Sequence, residues 1–247
     1  MGYGHMSYTL AWDFCYQTMF GVAKRYYQFK EIQKLYAFEP IEQIEYFNGG
    51  KYVGTSAAIE DKSYLQGRLR KVYKNGLVVY VNYNGGDPWA INVDGNEITL
   101  PPWGFYAVHK PSDTLSCSTL KNGLRCEYSR SSKYVYADSW NHPMEFDGLR
   151  MNGAGVVKRL GERKISFIPL GQDTTLDSPE DFGVKEVGID LAYFFPALKN
   201  AGDATSRVKV EAVTKEGKSV SFPHAVDKGW LTLRPKDHNI SYTVELE

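Results

Sequence analysis

The sequence predicts a mainly β protein: an N-terminal α-helical segment followed by two β-sandwich-like domains. Three observations lead there. Apolar residues recur at helical spacing, without a proline, from Tyr8 to about Phe38. After Pro40 the pattern changes to short runs rich in Val, Ile, Tyr and Phe, at roughly 8–12-residue spacing. Asn-Gly, Asp-Gly and Gly-Gly pairs join several of those runs, the strongest short-range hairpin signal. The expected domains are residues 1–40 (helical), 41–111 (a small β-sandwich) and 112–247 (a second β-rich domain).

Each element has a local reason. Ser7 is a good N-cap for the helical segment. Leu10, Phe14, Val22, Tyr26, Phe29, Ile32 and Tyr36 carry its apolar face. About thirty residues of unbroken helix would run about 45 Å, so a break or kink is expected near Gly21. "IEQIEYF" and "KYVGTSA" read as a hairpin around Asn48-Gly49-Gly50, followed by a helical turn capped by Thr55 or Ser56. Asn75-Gly76 suits a two-residue type I′ turn, which would pair Val72 with Val79 and Tyr73 with Val78. Asp94-Gly95 repeats the device and pairs Ile91 with Ile98. Asn122-Gly123 pairs Cys117 with Tyr128 and Thr119 with Cys126. Further strands are expected at Lys133–Ala137, Ala154–Arg159, Ile165–Leu170, Val184–Leu191, Val208–Thr214, Ser219–Pro223, Trp230–Arg234 and Ile240–Leu246, with a hairpin around Glu216-Gly217.

Composition narrows the function classes. Among 247 residues, 29 Lys plus Arg balance 29 Asp plus Glu, so the basic footprint of a nucleic-acid binder is absent, as is a polybasic membrane patch. No stretch approaches the roughly 20 apolar residues of a membrane span. Neither a nucleic-acid nor a membrane partner is expected. The three cysteines are no disulfide framework. Cys117 and Cys126 sit diagonally on one face, roughly 7–8 Å apart, too far for an easy bridge, and read as small core residues.

Chemistry-bearing motifs are few. The five histidines, including His5, have no metal-ligand spacing. "NGAGVV" lacks the Lys-Ser/Thr of a phosphate loop, and no G-x-S-x-G elbow is present. No metal and no cofactor are therefore expected. Glycosidic chemistry needs two carboxylates across a cleft. Asp13 lies a turn inside the helix and reads as salt-bridged or exposed. Asp138 and Trp140, in "YADSWNHP", form a polar and aromatic cluster on a loop that could touch a sugar. Trp89 follows Asp87-Pro88 at a loop-to-strand entry and reads as exposed, a second stacking candidate. Trp103, in "PPWGFY", reads as packed against a neighbour. No catalytic residue is assigned.

Three blocks together resemble the C-terminal part of a TIM-barrel glycoside hydrolase: "YGHMSY" leading into a helix, "AKRYYQFKEIQKLYAFEPIEQIEYFNGG", and "RKVYKNGLVVYVNYNGGDPWAINVDGNEITLPPWGFYAV". The resemblance covers residues 2–110. It implies a last barrel helix followed by a β-sandwich, and carbohydrate as the partner. In that family the catalytic carboxylates lie on earlier barrel strands, so it carries over no catalytic pair. It implies that Tyr3 and His5 stand on a late strand-to-helix loop beside the sugar; capping or local packing is the alternative. The expected function is an accessory region, not competent alone. A free-standing carbohydrate-binding or cell-surface module is the alternative. The N-terminal helices would meet an upstream barrel or a second copy, and a polysaccharide-degrading enzyme of this kind would be secreted or periplasmic.

Overall fold

The computed structural model describes residues 19–171, 184–200, 208–236 and 239–247. They are mainly β, with a helical segment ahead of large antiparallel sheets in a β-sandwich-like fold. Helix α1 spans Met19–Tyr36. It is continuous through Gly21, so the break expected there is absent. No helix among the described residues is long and apolar enough to cross a membrane. The described residues form two compact units, 26–132 and 19–25 with 133–247.

The first unit is built on one antiparallel sheet. Its order is β2 (Lys51–Gly54), β1 (Ile41–Asn48), β3 (Arg68–Tyr73), β4 (Leu77–Asn82), β7 (Phe105–His109), β8 (Thr114–Lys121), β9 (Leu124–Arg130). Side chains alternate between its faces. One face buries Leu69, Tyr73, Val79, Val81 and Ala107 beneath Ile32 and Tyr36 of α1. Phe29 joins that core, its ring 5.3 Å from that of Phe105. The helix is fixed by polar contacts too: Ser116 Oγ donates to the Gln28 carbonyl at 2.6 Å. Tyr26 remains 47% exposed.

The opposite face is covered by the hairpin of β5 (Trp89–Val93) and β6 (Asn96–Leu100). Ile91 pairs with Ile98 as expected, and Asp94 and Gly95 both take positive φ, the type I′ turn. The β8–β9 hairpin also follows expectation, with Cys117 opposite Tyr128 and Thr119 opposite Cys126. Both cysteines are buried and neither forms a disulfide.

Two local expectations are corrected. The β3–β4 register is shifted by one residue: Val72 faces Val78, and Lys71 faces Val79. The loop has three residues, Lys74-Asn75-Gly76, and only Gly76 has positive φ. Asn75 is engaged elsewhere. Its Nδ2 donates to the Leu35 carbonyl at 2.7 Å and its Oδ1 accepts from Leu77 N at 3.0 Å. Its own carbonyl lies 2.9 Å from His109 Nε2, which must be the donor because a carbonyl only accepts. The second correction is at α2 (Thr55–Glu60). Its N-cap is Gly54, with no side-chain cap, because Thr55 is already helical.

The second unit has two antiparallel sheets. One runs β17 (Ser219–Ser221), β16 (Val208–Thr214), β20 (Asn239–Leu246), β14 (Lys164–Leu170), β13 (Ala154–Gly161), β10 (Tyr134–Asp138). It buries Tyr136, Val156, Ile165, Phe167, Val210, Tyr242 and Val244. The other runs β11 (Met144–Phe146), β12 (Leu149–Met151), β15 (Val187–Asp190), β19 (Trp230–Leu233), β18 (Ala225–Asp227). Leu149, Met151, Val187, Ile189, Leu231 and Leu233 form its buried face. The strand expected over Val184–Leu191 stops at Asp190, whose Oδ1 accepts from Ala192 N and Tyr193 N and so caps the short helix α3, Leu191–Phe194. Strands β11, β12 and β18 were not expected; three residues each are too few to show a period.

Candidate functional site

The outer face of the five-stranded sheet carries the site. Antiparallel pairing sets Glu145 opposite Arg150, Arg150 opposite Gly188, Gly188 opposite Thr232 and Thr232 opposite Ala225. These residues form one register row across all five strands. Four strand spacings make it about 19 Å long. Its middle and far positions are Gly188, Thr232 and Ala225, all small. A row of small residues between larger ones is a trough.

Larger side chains form the walls. Trp230 lies in the neighbouring row, on the same face as Thr232 because strand side chains alternate. A Cβ placed on Gly188 would sit 3.4 Å from Trp230 Cε3 and 3.3 Å from Arg150 Cβ, so the glycine is what lets the indole settle over the sheet. The Arg150 guanidinium stacks on the indole, 3.8 Å from the ring centroid. Its Nε donates to Glu145 Oε2 at 2.9 Å. On the other side, Arg234 Nε donates to Glu186 Oε2, also at 2.9 Å. A cavity of about 520 Å³ occupies this space, bounded also by Met144, Met151 and Asn152. A second, of about 370 Å³, continues past Thr232 to Phe222, His224 and Lys236.

This arrangement suits a polyhydroxylated ligand. A sugar hydroxyl is donor and acceptor at once. A guanidinium held beside a carboxylate offers donors and acceptors side by side, in planes that match vicinal hydroxyls. The indole surface receives the C–H face of a pyranose. Among the described residues, no group of His, Cys, Asp and Glu is placed to hold a metal ion.

Those residues singled out from the sequence that the structure describes lie elsewhere. Tyr3 and His5 are outside the described residues, as is Asp13. Trp89 is 2% exposed and packs on Phe47, Tyr52 and Tyr80, with ring centroids 5.4–6.4 Å away. Trp103 is 63% exposed. The expected order of exposure is therefore reversed. Trp89 begins an inward Trp-Ile-Val alternation, whereas Trp103 takes positive φ, with its ring edge-on to Tyr83. Asp138 is buried: Lys24 Nζ meets Oδ2 at 3.0 Å, and Oδ1 accepts from Trp140 N at 2.9 Å. Trp140 is half-exposed beside it. Trp89, Trp103, Asp138 and Trp140 do not line the trough.

Sequence reasoning placed the β19 strand but gave Trp230 no role. The signal was present: Trp230, Thr232 and Arg234 alternate with Leu231 and Leu233, a strand whose outward positions are chemically rich. Comparison of the chain with protein-family models, with curated proteins and with solved structures found no match.

Proposed function

We propose that this chain is a non-catalytic, carbohydrate-binding accessory region of a glycoside hydrolase, with the trough on the five-stranded sheet as its glycan site. The trough carries the reading: small residues in register form a floor, an indole forms one wall, and two Arg–Glu pairs supply paired donors and acceptors. The resemblance of residues 2–110 to the end of a barrel and its following β-sandwich supplies the enzyme class. A free-standing binding module would use the same trough; the genomic reading frame upstream of Met1 separates the two.

The test is isothermal calorimetry of the chain against a panel of plant, algal and bacterial oligosaccharides, followed by Trp230→Ala and Arg150→Ala. Binding that both substitutions weaken supports the reading. Absence of glycan binding overturns it, and so does turnover of aryl glycosides by the chain itself.

A further inference from the structure

The two ends of the trough differ in charge. At the β11–β12 end the Arg150 guanidinium already holds the Glu145 carboxylate. At the β18 end, the cavity of about 370 Å³ is lined by Phe222, Pro223, His224, Ala225, Thr232, Arg234 and Lys236. Among the described residues its ionisable side chains are His224, Arg234 and Lys236, and of these Arg234 is paired with Glu186. The two cavities share Thr232, so a ligand lying along the register row passes from a charge-balanced segment into a cationic one.

The cationic end is also held in place. Lys236 N donates to the Tyr242 hydroxyl at 2.7 Å, which anchors the backbone beneath its side chain. The Lys236 Nζ stands 5.9 Å from the Phe222 ring centroid, above the same cavity. His224 Nδ1 lies 3.1 Å from the Phe222 carbonyl and must donate to it. That orients the imidazole and, in the neutral ring, makes Nε2 an acceptor for a ligand hydroxyl.

Resting on the glycan reading above, the geometry points to an acidic glycan: an oligosaccharide containing uronic acid, whose carboxylate sits against Lys236 while neighbouring neutral hydroxyls engage His224 and the Arg–Glu pairs. The trough is thus directional. Attraction between a carboxylate and exposed cations is screened by salt, so the preference is strongest at low ionic strength.

The experiment compares hexamers of galacturonate, mannuronate and glucuronate with their methyl esters, which keep the sugar and remove the charge. A sulfated galactan hexamer is included to distinguish sulfate from carboxylate. The expected result is that at least one uronate binds about tenfold more tightly than its ester at low salt. The acid-to-ester ratio falls toward one in Lys236→Gln and at high salt. Equal affinity for acid and ester, or binding of neutral or sulfated glycans alone, overturns this inference and leaves the glycan reading standing. Failure of every glycan removes both.

Discussion

The guanidinium carbon of Arg150 lies 3.8 Å from the centre of the Trp230 ring, and Gly188 is the residue that leaves room for the two to meet over the sheet. Gly188→Val puts branched carbon where the indole now rests. The expected outcome is a folded protein, with a thermal midpoint close to wild type because the added bulk faces outward, and with glycan affinity lowered about tenfold or more. Arg150→Lys keeps the charge but loses the planar stack and the fixed donor geometry; it should also weaken binding. Calorimetry beside circular-dichroism melts checks both.

Lys71 is buried in the helix-covered core of the first unit. Burial pulls its pKa from 10.5 down to about 8. Below pH 8 both folded and unfolded chains carry the proton and the folding penalty is constant. Between about pH 8 and 10.5 the unfolded chain binds a proton that the folded chain does not, so this residue's contribution to stability rises with pH. Lys71→Met should stabilise the protein by about 3 kcal/mol at pH 7, and its advantage over wild type should shrink across that window. Burial also pushes Tyr36, Tyr52 and Cys117 up to about 12, which lowers the stability of both proteins in strong base. The difference between the two melting curves isolates Lys71. Parallel curves would refute the assignment.

Asn82 is fully buried and ties three segments of the first unit together. Its Nδ2 donates to the carbonyls of Asp87, Leu100 and Pro101, and its Oδ1 accepts from Asn84 N. Asn82→Ala should cost about 3 kcal/mol, because buried carbonyls lose their donor. Asn82→Asp is no rescue, since it turns a carboxylate oxygen toward those same carbonyls. Urea unfolding of the variants measures both effects.

The Cys117 thiol lies beneath the sheet with its pKa raised by burial and, second, by Cys126 nearby. Alkylation of Cys117, followed by mass spectrometry in increasing denaturant, should track global unfolding. Rapid alkylation in native buffer would show that this strand opens locally.

Signals carried by adjacent residues were legible in the sequence. Asp94-Gly95 and Asn122-Gly123 set their hairpins because both turn residues take positive φ without outside help. Signals that depend on distant partners were hidden. Trp89 looked like a loop-edge residue because Phe47 and Tyr52, which enclose it, are far away in sequence. The trough was hidden for the same reason. Arg150, Gly188 and Trp230 come from separate stretches of chain, and the strand that brings Arg150 is three residues long. Only the outward alternation of β19 announced its polar and aromatic outer face.

The Asn75 turn has a consequence for how this protein can be cut. Its side chain is held by Leu35 and its carbonyl by His109, neither of which belongs to the hairpin it closes. A peptide spanning Gln66–Asn84 lacks both anchors. Left alone, it can fall back on the two-residue turn that Asn-Gly prefers, and every cross-strand neighbour would then change partner. The alignment of these two strands belongs to the assembled unit rather than to the hairpin. Shortened versions of the protein that remove the helix should therefore be checked for the wrong alignment before their behaviour is interpreted.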